Sequence, residues 1–475
     1  MRLSEILKQE FDPAYRDIEI KGVTCDSRTV RENYAFVCID GTSTDGHKFA
    51  LSAEENGACI IIAEHDTGAK NQIIVENTRQ TYALMCAAYF GNPAQKLRLV
   101  GVTGTNGKTS TTYMVKEILE RCGHKVGLIG TIQNIIGDEI LTAKNTTPDA
   151  FELHSLFSLM LKAGCDFVVM EVSSHALEQY RVWGLQFETA VFTNLTQDHL
   201  DYHKTMERYI ESKKKLFSMC KNAVVNFDDP YRETMLEGFD GNVISYSAKS
   251  DFSTYTAKNL RYRADGVDFE LVGNGVIGRV RLDVPGEFSA YNAMAAVCVA
   301  TSAGVDFDTA VPMLKYVKGV KGRAEVVPTN TDYTVIIDYA HTPDGLKNIL
   351  DTLRRVEKAR VITVFGCGGD RDRLKRPLMG EIAARFSGYC IVTSDNPRTE
   401  QPMAIIEDIV AGMKAYRTPY KVIENRVEAI RYALGMAQPG DIVLLAGKGH
   451  ETYQITAQGT IHLDEREVVA SFFEA

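Results

Sequence analysis

The stretch Leu99-Val100-Gly101-Val102-Thr103-Gly104-Thr105-Asn106-Gly107-Lys108-Thr109-Ser110 constrains this chain more than any other. An apolar, β-branched run passes through a glycine-punctuated turn into a segment where Met114, Val115, Ile118, Leu119 and Cys122 share one helical face. Gly123 stands where a C-terminal cap belongs. A strand feeding a helix in this way belongs to an α/β sheet. Gly104 and Gly107 let main-chain N–H groups approach an anion, and the helix N-terminus favours negative charge. Lys108 would reach the β/γ-phosphates of a nucleotide and the Thr109 hydroxyl would ligate Mg²⁺, with Thr105, Asn106 and Ser110 completing the loop. Val102 fills the first-glycine slot of the general G-x-x-x-x-G-K-[ST] pattern, a departure. The bland alternative is a plain glycine-rich turn, and nucleotide binding is the preferred reading.

Composition narrows the class. The 475 residues are 45% hydrophobic and 24% charged, as in an ordinary globular protein, and the length suggests three domains. Lys and Arg number 53 against 62 Asp and Glu, a net charge of -9, which argues against a nucleic-acid or membrane-surface binder. The ten cysteines form no CxxC pair, so neither a zinc ribbon nor a disulfide framework is expected. No apolar run reaches a membrane span, and the start MRLSEILKQE lacks the apolar run of a signal peptide. The expectation is a reduced, cytoplasmic protein without membrane insertion.

The pattern restarts twice. Residues 1–95 carry short strand-like runs and an apolar helical stretch, Tyr82 to Phe90, before Gly91-Asn92-Pro93. Residues 96–326 alternate strands (Leu97–Val102, Val126–Ile129, Phe167–Val172, Thr189–Thr193) with helices, then switch to hairpins around Asp265-Gly266 and Gly273-Asn274-Gly275. Residues 327–475 form a second α/β unit with strands at Val335–Asp338, Val361–Phe365, Tyr389–Ser394 and Asp441–Ala446.

Strand ends hold the remaining chemistry. Glu171 closes an apolar strand, where α/β sheets place ligand groups, and is an even choice between metal ligand and solvated carboxylate. Thr193 to His203 packs two Asp and two His after another strand, which favours a metal or phosphate role for His199. In the last unit, Asp338-Tyr339-Ala340-His341, Gly366 to Arg373, Ser394-Asp395-Asn396-Pro397-Arg398 and Gly447-Lys448-Gly449-His450-Glu451 each follow a strand. Four such ends make one shared anionic-ligand site the better reading. Lys213-Lys214-Lys215, taken alone, reads as a solvated helix face.

Together these motifs resemble the Mur ligases of peptidoglycan synthesis over nearly the whole chain. The match rests on Gly104 to Thr109, Glu171-Val172-Ser173-Ser174-His175, Thr193-Asn194 with Asp198 to Asp201, Asp338 to His341, and Gly447 to Glu451. The resemblance implies three domains: 1–95 for the uridine-diphosphate muramoyl substrate, 96–326 for ATP, and 327–475, Rossmann-like, for the amino acid. It implies ATP-dependent attachment of meso-2,6-diaminopimelate to the D-glutamate γ-carboxylate of UDP-N-acetylmuramoyl-L-Ala-D-Glu, through an acyl phosphate. Asp395-Asn396-Pro397-Arg398 resembles the motif of the diaminopimelate branch, with Arg371, Gly447 and Glu451 completing its pocket. Asp26-Ser27-Arg28 and Thr42-Ser43-Thr44 resemble the uridine-diphosphate clasp. Asn145, Thr146, Thr147, Ser173, Gln179 and Arg181 resemble the muramoyl-dipeptide groups, and Asn292 and Arg323 those flanking ATP. Lys108, Glu171, His199 and Lys213 would be catalytic, with Lys213 as an N-carboxylated lysine. That carbamate, Thr109, Glu171 and His199 would hold two Mg²⁺. A monomer without macromolecular partners is expected. Open alternatives are an L-lysine-adding form, another ligase of the superfamily such as folylpolyglutamate synthase, and an ATP-gated regulatory protein.

Overall fold

The computed structural model describes residues 1–7, 10–41, 44–273, 275–356 and 359–474. Two compact units result: Met1–Ser245 with Cys298–Val305, and Tyr246–Val297 with Asp306–Ala475.

In the first unit, four short parallel strands, Gly22–Thr24, Tyr34–Val37, Ala58–Ala63 and Gln72–Ile74, lie side by side in chain order. Helix Thr78–Tyr89 covers them, started by the Asn77 side chain accepting from the Gln80 N–H. Tyr89 and Phe90 meet the Phe151 ring of helix Ala150–Lys162, so residues 1–95 and the central strands share one unit.

The central sheet runs Cys220–Asn226, Phe187–Phe192, Arg98–Thr103, Phe167–Glu171, Val126–Ile129, all parallel. Two antiparallel strands, Gln133–Ile136 and Glu139–Thr142, extend it. Both faces are covered, which is why Val100, Val102, Val168, Val169, Ala190 and Val191 form unbroken apolar runs instead of alternating. Each expected strand is present, displaced by at most two residues at an end. The helix from Lys108 stops at Arg121, and Gly123 takes φ +93° beyond it, the left-handed cap its position suggests.

In the second unit the expected hairpins are an antiparallel ladder of Tyr255–Arg263, Gly266–Gly273 and Val276–Leu282; Asn274 lies outside the described residues. The C-terminal sheet has the order Glu325–Val327, Thr334–Asp338, Ile442–Ala446, Val361–Phe365, Tyr389–Val392, Tyr420–Val422. Its first pair is antiparallel and the rest parallel. Four neighbouring parallel strands therefore release their loops at one edge. Those are the four loops singled out in the sequence.

Candidate active site

The phosphate loop leaves strand Arg98–Thr103 and enters its helix at Gly107, an N-cap with φ +86° and no side chain to shield the first helical turn. Gly104 adopts φ +144°, and a β-carbon there would lie 1.9 Å from the Thr193 hydroxyl. Parallel pairing of Thr103 with Phe192 brings the next strand's end against the loop. There the Thr105 N–H donates to the Asn194 carbonyl (2.8 Å) and the Asn106 N–H to Asn194 Oδ1 (2.9 Å). The Thr193 hydroxyl donates to the Asn106 carbonyl at 2.6 Å, and the Thr196 N–H to Thr105 Oγ1 at 3.0 Å. Lys108 opens the helix instead of ending the loop, and its Nζ folds back onto the Gly104 and Thr105 carbonyls, 2.8 Å from each. Thr109 is buried and Ser110 half-buried behind it.

Lys213 separates sharply from its neighbours. It is 1% exposed, its Nζ donates to the Gly104 carbonyl at 2.9 Å, and it stands over the Tyr209 ring. Burial, reinforced by the charge of Lys108, holds its amine well below the ordinary lysine range. Lys214 and Lys215 instead reach Glu237 and Glu178 on the outer face. The solvated-face reading holds for two of the three. Tyr209 also meets the loop, its OH 3.1 Å from Thr105 Oγ1. His199, in the left-handed region at φ +54°, has Nε2 3.4 Å from Asp198 Oδ2 and its ring edge-on to His175.

On the other side of strand Arg98–Thr103, Glu171 ends its strand almost fully buried. The Thr147 hydroxyl donates to the Glu171 carbonyl (2.9 Å), and the Ser173 N–H donates to Thr147 Oγ1 (3.0 Å). The Arg181 guanidinium donates to the Thr147 carbonyl and to Gln179 Oε1, each at 2.8 Å. Four of the six expected dipeptide residues are thus one hydrogen-bonded group, with Thr146 half-buried and Asn145 exposed beside it. At the N-terminal clasp, Arg28 pairs with Asp26 (2.7 Å) and holds that carboxyl below its usual range, with Ser27 in the same turn. Thr44 is exposed; Thr42 and Ser43 lie outside the described residues.

Among the described residues no three His, Cys, Asp or Glu side chains gather as a cation cage. The donors that the neighbouring strand ends and the first helical turn supply (the Thr109 hydroxyl, the Glu171 carboxylate, His199) are few and mostly oxygen. That set suits Mg²⁺, which binds through one or two carboxylates together with substrate phosphates and water.

The second unit holds the other expected groups. Asn292 is buried, and the Arg323 guanidinium stacks on the Tyr339 ring. Arg398 takes φ +52°, and its Nη1 donates to the Gly369 carbonyl at 2.8 Å. Arg371 also lies beside Gly368 and is exposed. Asp395 is buried, and Gly447 (φ +117°) passes so close that a β-carbon would sit 2.7 Å from Asp395 Oδ2. The amide of Asn396 and the carboxylate of Glu451, expected to face the ligand, are engaged with each other (2.9 Å) and with buried Lys448 (3.2 and 3.0 Å). Pro397 follows in the same loop. Arg426 is a further buried side chain of this site, outside the motifs above. It is 1% exposed, and its guanidinium donates to Glu465 Oε1 (2.8 Å), the Ala446 carbonyl (2.8 Å) and the Ser394 carbonyl (3.5 Å). One side chain thereby ties together the two strand ends from which Asp395 and Gly447 depart. No local motif signals it, because its partners are 20 to 39 positions away.

Known proteins resemble this chain along nearly its whole length. Residues 102–300 match the Mur ligase middle domain, 322–449 the Mur ligase glutamate ligase domain, and 19–89 the Mur ligase family catalytic domain. A UDP-N-acetylmuramoyl-L-alanyl-D-glutamate--2,6-diaminopimelate ligase of Caldanaerobacter subterraneus subsp. tengcongensis is 47% identical over 475 residues, covering 99% of this chain and 98% of its own. A solved structure of a ligase of that same name is 34% identical, with TM-score 0.76, covering 100% of this chain and 99% of the other. The MurF ligase from Thermotoga maritima in complex with ADP, 21% identical with TM-score 0.64, covers 96% of this chain and 98% of its own and shares the fold. Three matched segments and 47% identity over nearly the full length lead to one conclusion: this chain belongs to the Mur ligase family of ATP-dependent ligases.

Proposed function

We propose that the protein joins meso-2,6-diaminopimelate to the D-glutamate γ-carboxylate of UDP-N-acetylmuramoyl-L-Ala-D-Glu, converting ATP to ADP and phosphate. The observation that carries this reading is the buried Lys213 beside the phosphate loop, in a chain 47% identical to a ligase named for that reaction. We assign residues 1–95 to the uridine-diphosphate substrate, 96–326 to ATP and 327–475 to the amino acid.

Amide formation from a carboxylate and an amine is unfavourable in water, so the carboxylate needs activation. The γ-carboxylate oxygen attacks the γ-phosphorus of ATP, giving an acyl phosphate and ADP. The neutral amine then attacks the acyl carbon and the phosphate leaves with the bridging oxygen. Lys108 and the first-turn N–H groups bind and orient the phosphates, supplying charge where it develops. Asn292 and Arg323 are assigned to the nucleotide as well. Mg²⁺, held by Thr109, Glu171, His199 and a carbamate on Lys213, would neutralise charge on the transferring phosphoryl group. Carbamate formation requires an uncharged amine, and the burial of Lys213 shifts its amine in that direction. Thr147, Ser173, Gln179 and Arg181 orient the dipeptide, and Arg398 with Arg371 binds the distal carboxylate of the diamino acid.

Incubation with ATP, the muramoyl dipeptide and either diaminopimelate or L-lysine, followed by mass analysis, tests the reading. The expected product carries one diaminopimelate residue, with little from lysine. Equal use of lysine contradicts the amino-acid assignment, and ATP hydrolysis stimulated by a folate alone points to the folylpolyglutamate reading.

A further inference from the structure

Glu171 is 1% exposed at the end of its strand, and an ionised carboxylate so placed needs partners for both oxygens. One residue supplies them. The Thr131 N–H donates to Glu171 Oε1 at 2.8 Å, and the Thr131 hydroxyl meets Oε2 at 3.0 Å. Gly130 makes the approach feasible, since a β-carbon there would stand 2.6 Å from Oε1. The Thr131 hydroxyl also lies 3.1 Å from the Thr146 hydroxyl, and Thr147 bonds the Glu171 main chain. A hydroxyl has one hydrogen and a carboxylate only accepts. The Thr131 hydrogen therefore belongs to Glu171, and the Thr146 hydroxyl is left to complete the pair.

Resting on the reading of Glu171 as a ligand for a divalent cation, we propose that Thr131 is a positioning residue that holds this carboxylate for the cation and ties it to the dipeptide loop 145–147. With each oxygen gripped once, the carboxylate has a fixed orientation and keeps further lone pairs for a cation. Thr131 itself touches neither phosphate nor amine in this scheme. Its effect is read through Glu171.

Mn²⁺ alone, titrated into the full chain saturated with ADP and followed by water-proton relaxation, tests this directly. Thr131→Val keeps the shape and the N–H but loses the hydroxyl. It should weaken Mn²⁺ binding roughly tenfold, the scale of lost support to a metal ligand. The Mg²⁺ concentration for half-maximal ligation should rise by the same factor while the KM for the amino acid stays put. Thr131→Ser should restore wild-type behaviour. Where valine crowds the site and lowers the melting midpoint, Thr131→Ala gives the same loss without bulk. Wild-type Mn²⁺ affinity in the folded Thr131 variants, with Glu171→Gln weakened, overturns the role of Thr131 alone. Unchanged affinity in Glu171→Gln as well overturns the reading of Glu171, and this proposal with it.

Discussion

Three consecutive lysines meet two kinds of environment: Lys213 inside, beside the phosphate loop, Lys214 and Lys215 outside on carboxylates. Because exposed ion pairs contribute little, Lys214→Ala and Lys215→Ala should ligate at near wild-type rate. Lys213→Ala should ligate hardly at all, with partial recovery in formate or acetate, whose carboxylate substitutes for the lost carbamate. Rates of the three variants with and without formate settle the matter; equal rates would return Lys213 to a packing role. Arg398 invites a parallel test. Charge-assisted hydrogen bonds contribute roughly 1.5–3 kcal/mol, so Arg398→Ala should lower kcat/KM for diaminopimelate by about tenfold to a hundredfold. The KM for ATP should not move. In the structure the same guanidinium bonds the Gly369 carbonyl, so a circular dichroism control must show that the loop change leaves the fold intact. The strand-to-helix turn through Gly104 and Gly107 was legible because glycine, lysine and threonine at fixed spacing have few other uses. That Lys213 is the buried one of its triplet was legible only by family resemblance, since burial depends on what packs over Tyr209.

At the scale of elements, strands buried on both faces announced themselves as apolar runs, and their ends as Gly/polar turns. Long-range ties did not. Arg426, at the start of helix Arg426–Met436, pairs with Glu465, at the start of helix Glu465–Phe473, with neither exposed beyond 1%. Removing one partner leaves a buried charge, so Arg426→Met alone should destabilise the second unit by about 3–5 kcal/mol. Adding Glu465→Leu should recover much of that loss, which denaturant melts of the two variants would show. Helix Ala150–Lys162 carries a different liability. Burial holds His154 at a pKa of about 4, below the ordinary 6.5, with its Nδ1 lacking a hydrogen-bond partner among the described residues. Below pH 6.5 the unfolded chain takes up a proton that the folded one refuses. Stability is therefore full above 6.5 and falls as pH drops toward 4, by up to about 3 kcal/mol at 1.36 kcal/mol per unit. His154→Leu should flatten that part of the pH profile, read by the fluorescence of Trp183, the one tryptophan, in the same unit. An unchanged profile would remove His154 from the account.

Across the whole molecule, length and pattern restarts suggested three stretches, whereas compactness gives two units, because aromatic contacts join helix Thr78–Tyr89 to Ala150–Lys162. Such contacts leave no periodic trace. Within each unit the chemistry gathers at the carboxyl edge of a parallel sheet: phosphate loop, Glu171 and Thr193-Asn194 in one, four Gly/polar loops in the other. No helix among the described residues is long and apolar enough to cross a membrane. The proposed acyl-phosphate route carries carboxylate oxygen into phosphate, and that transfer can be followed. A muramoyl dipeptide labelled with ¹⁸O in the D-glutamate γ-carboxylate, converted with ATP and diaminopimelate, should yield the ligated product together with phosphate carrying one ¹⁸O per amide formed. Ligated product accompanied by unlabelled phosphate would contradict the acyl-phosphate route, and no ligated product at all would contradict the assigned function.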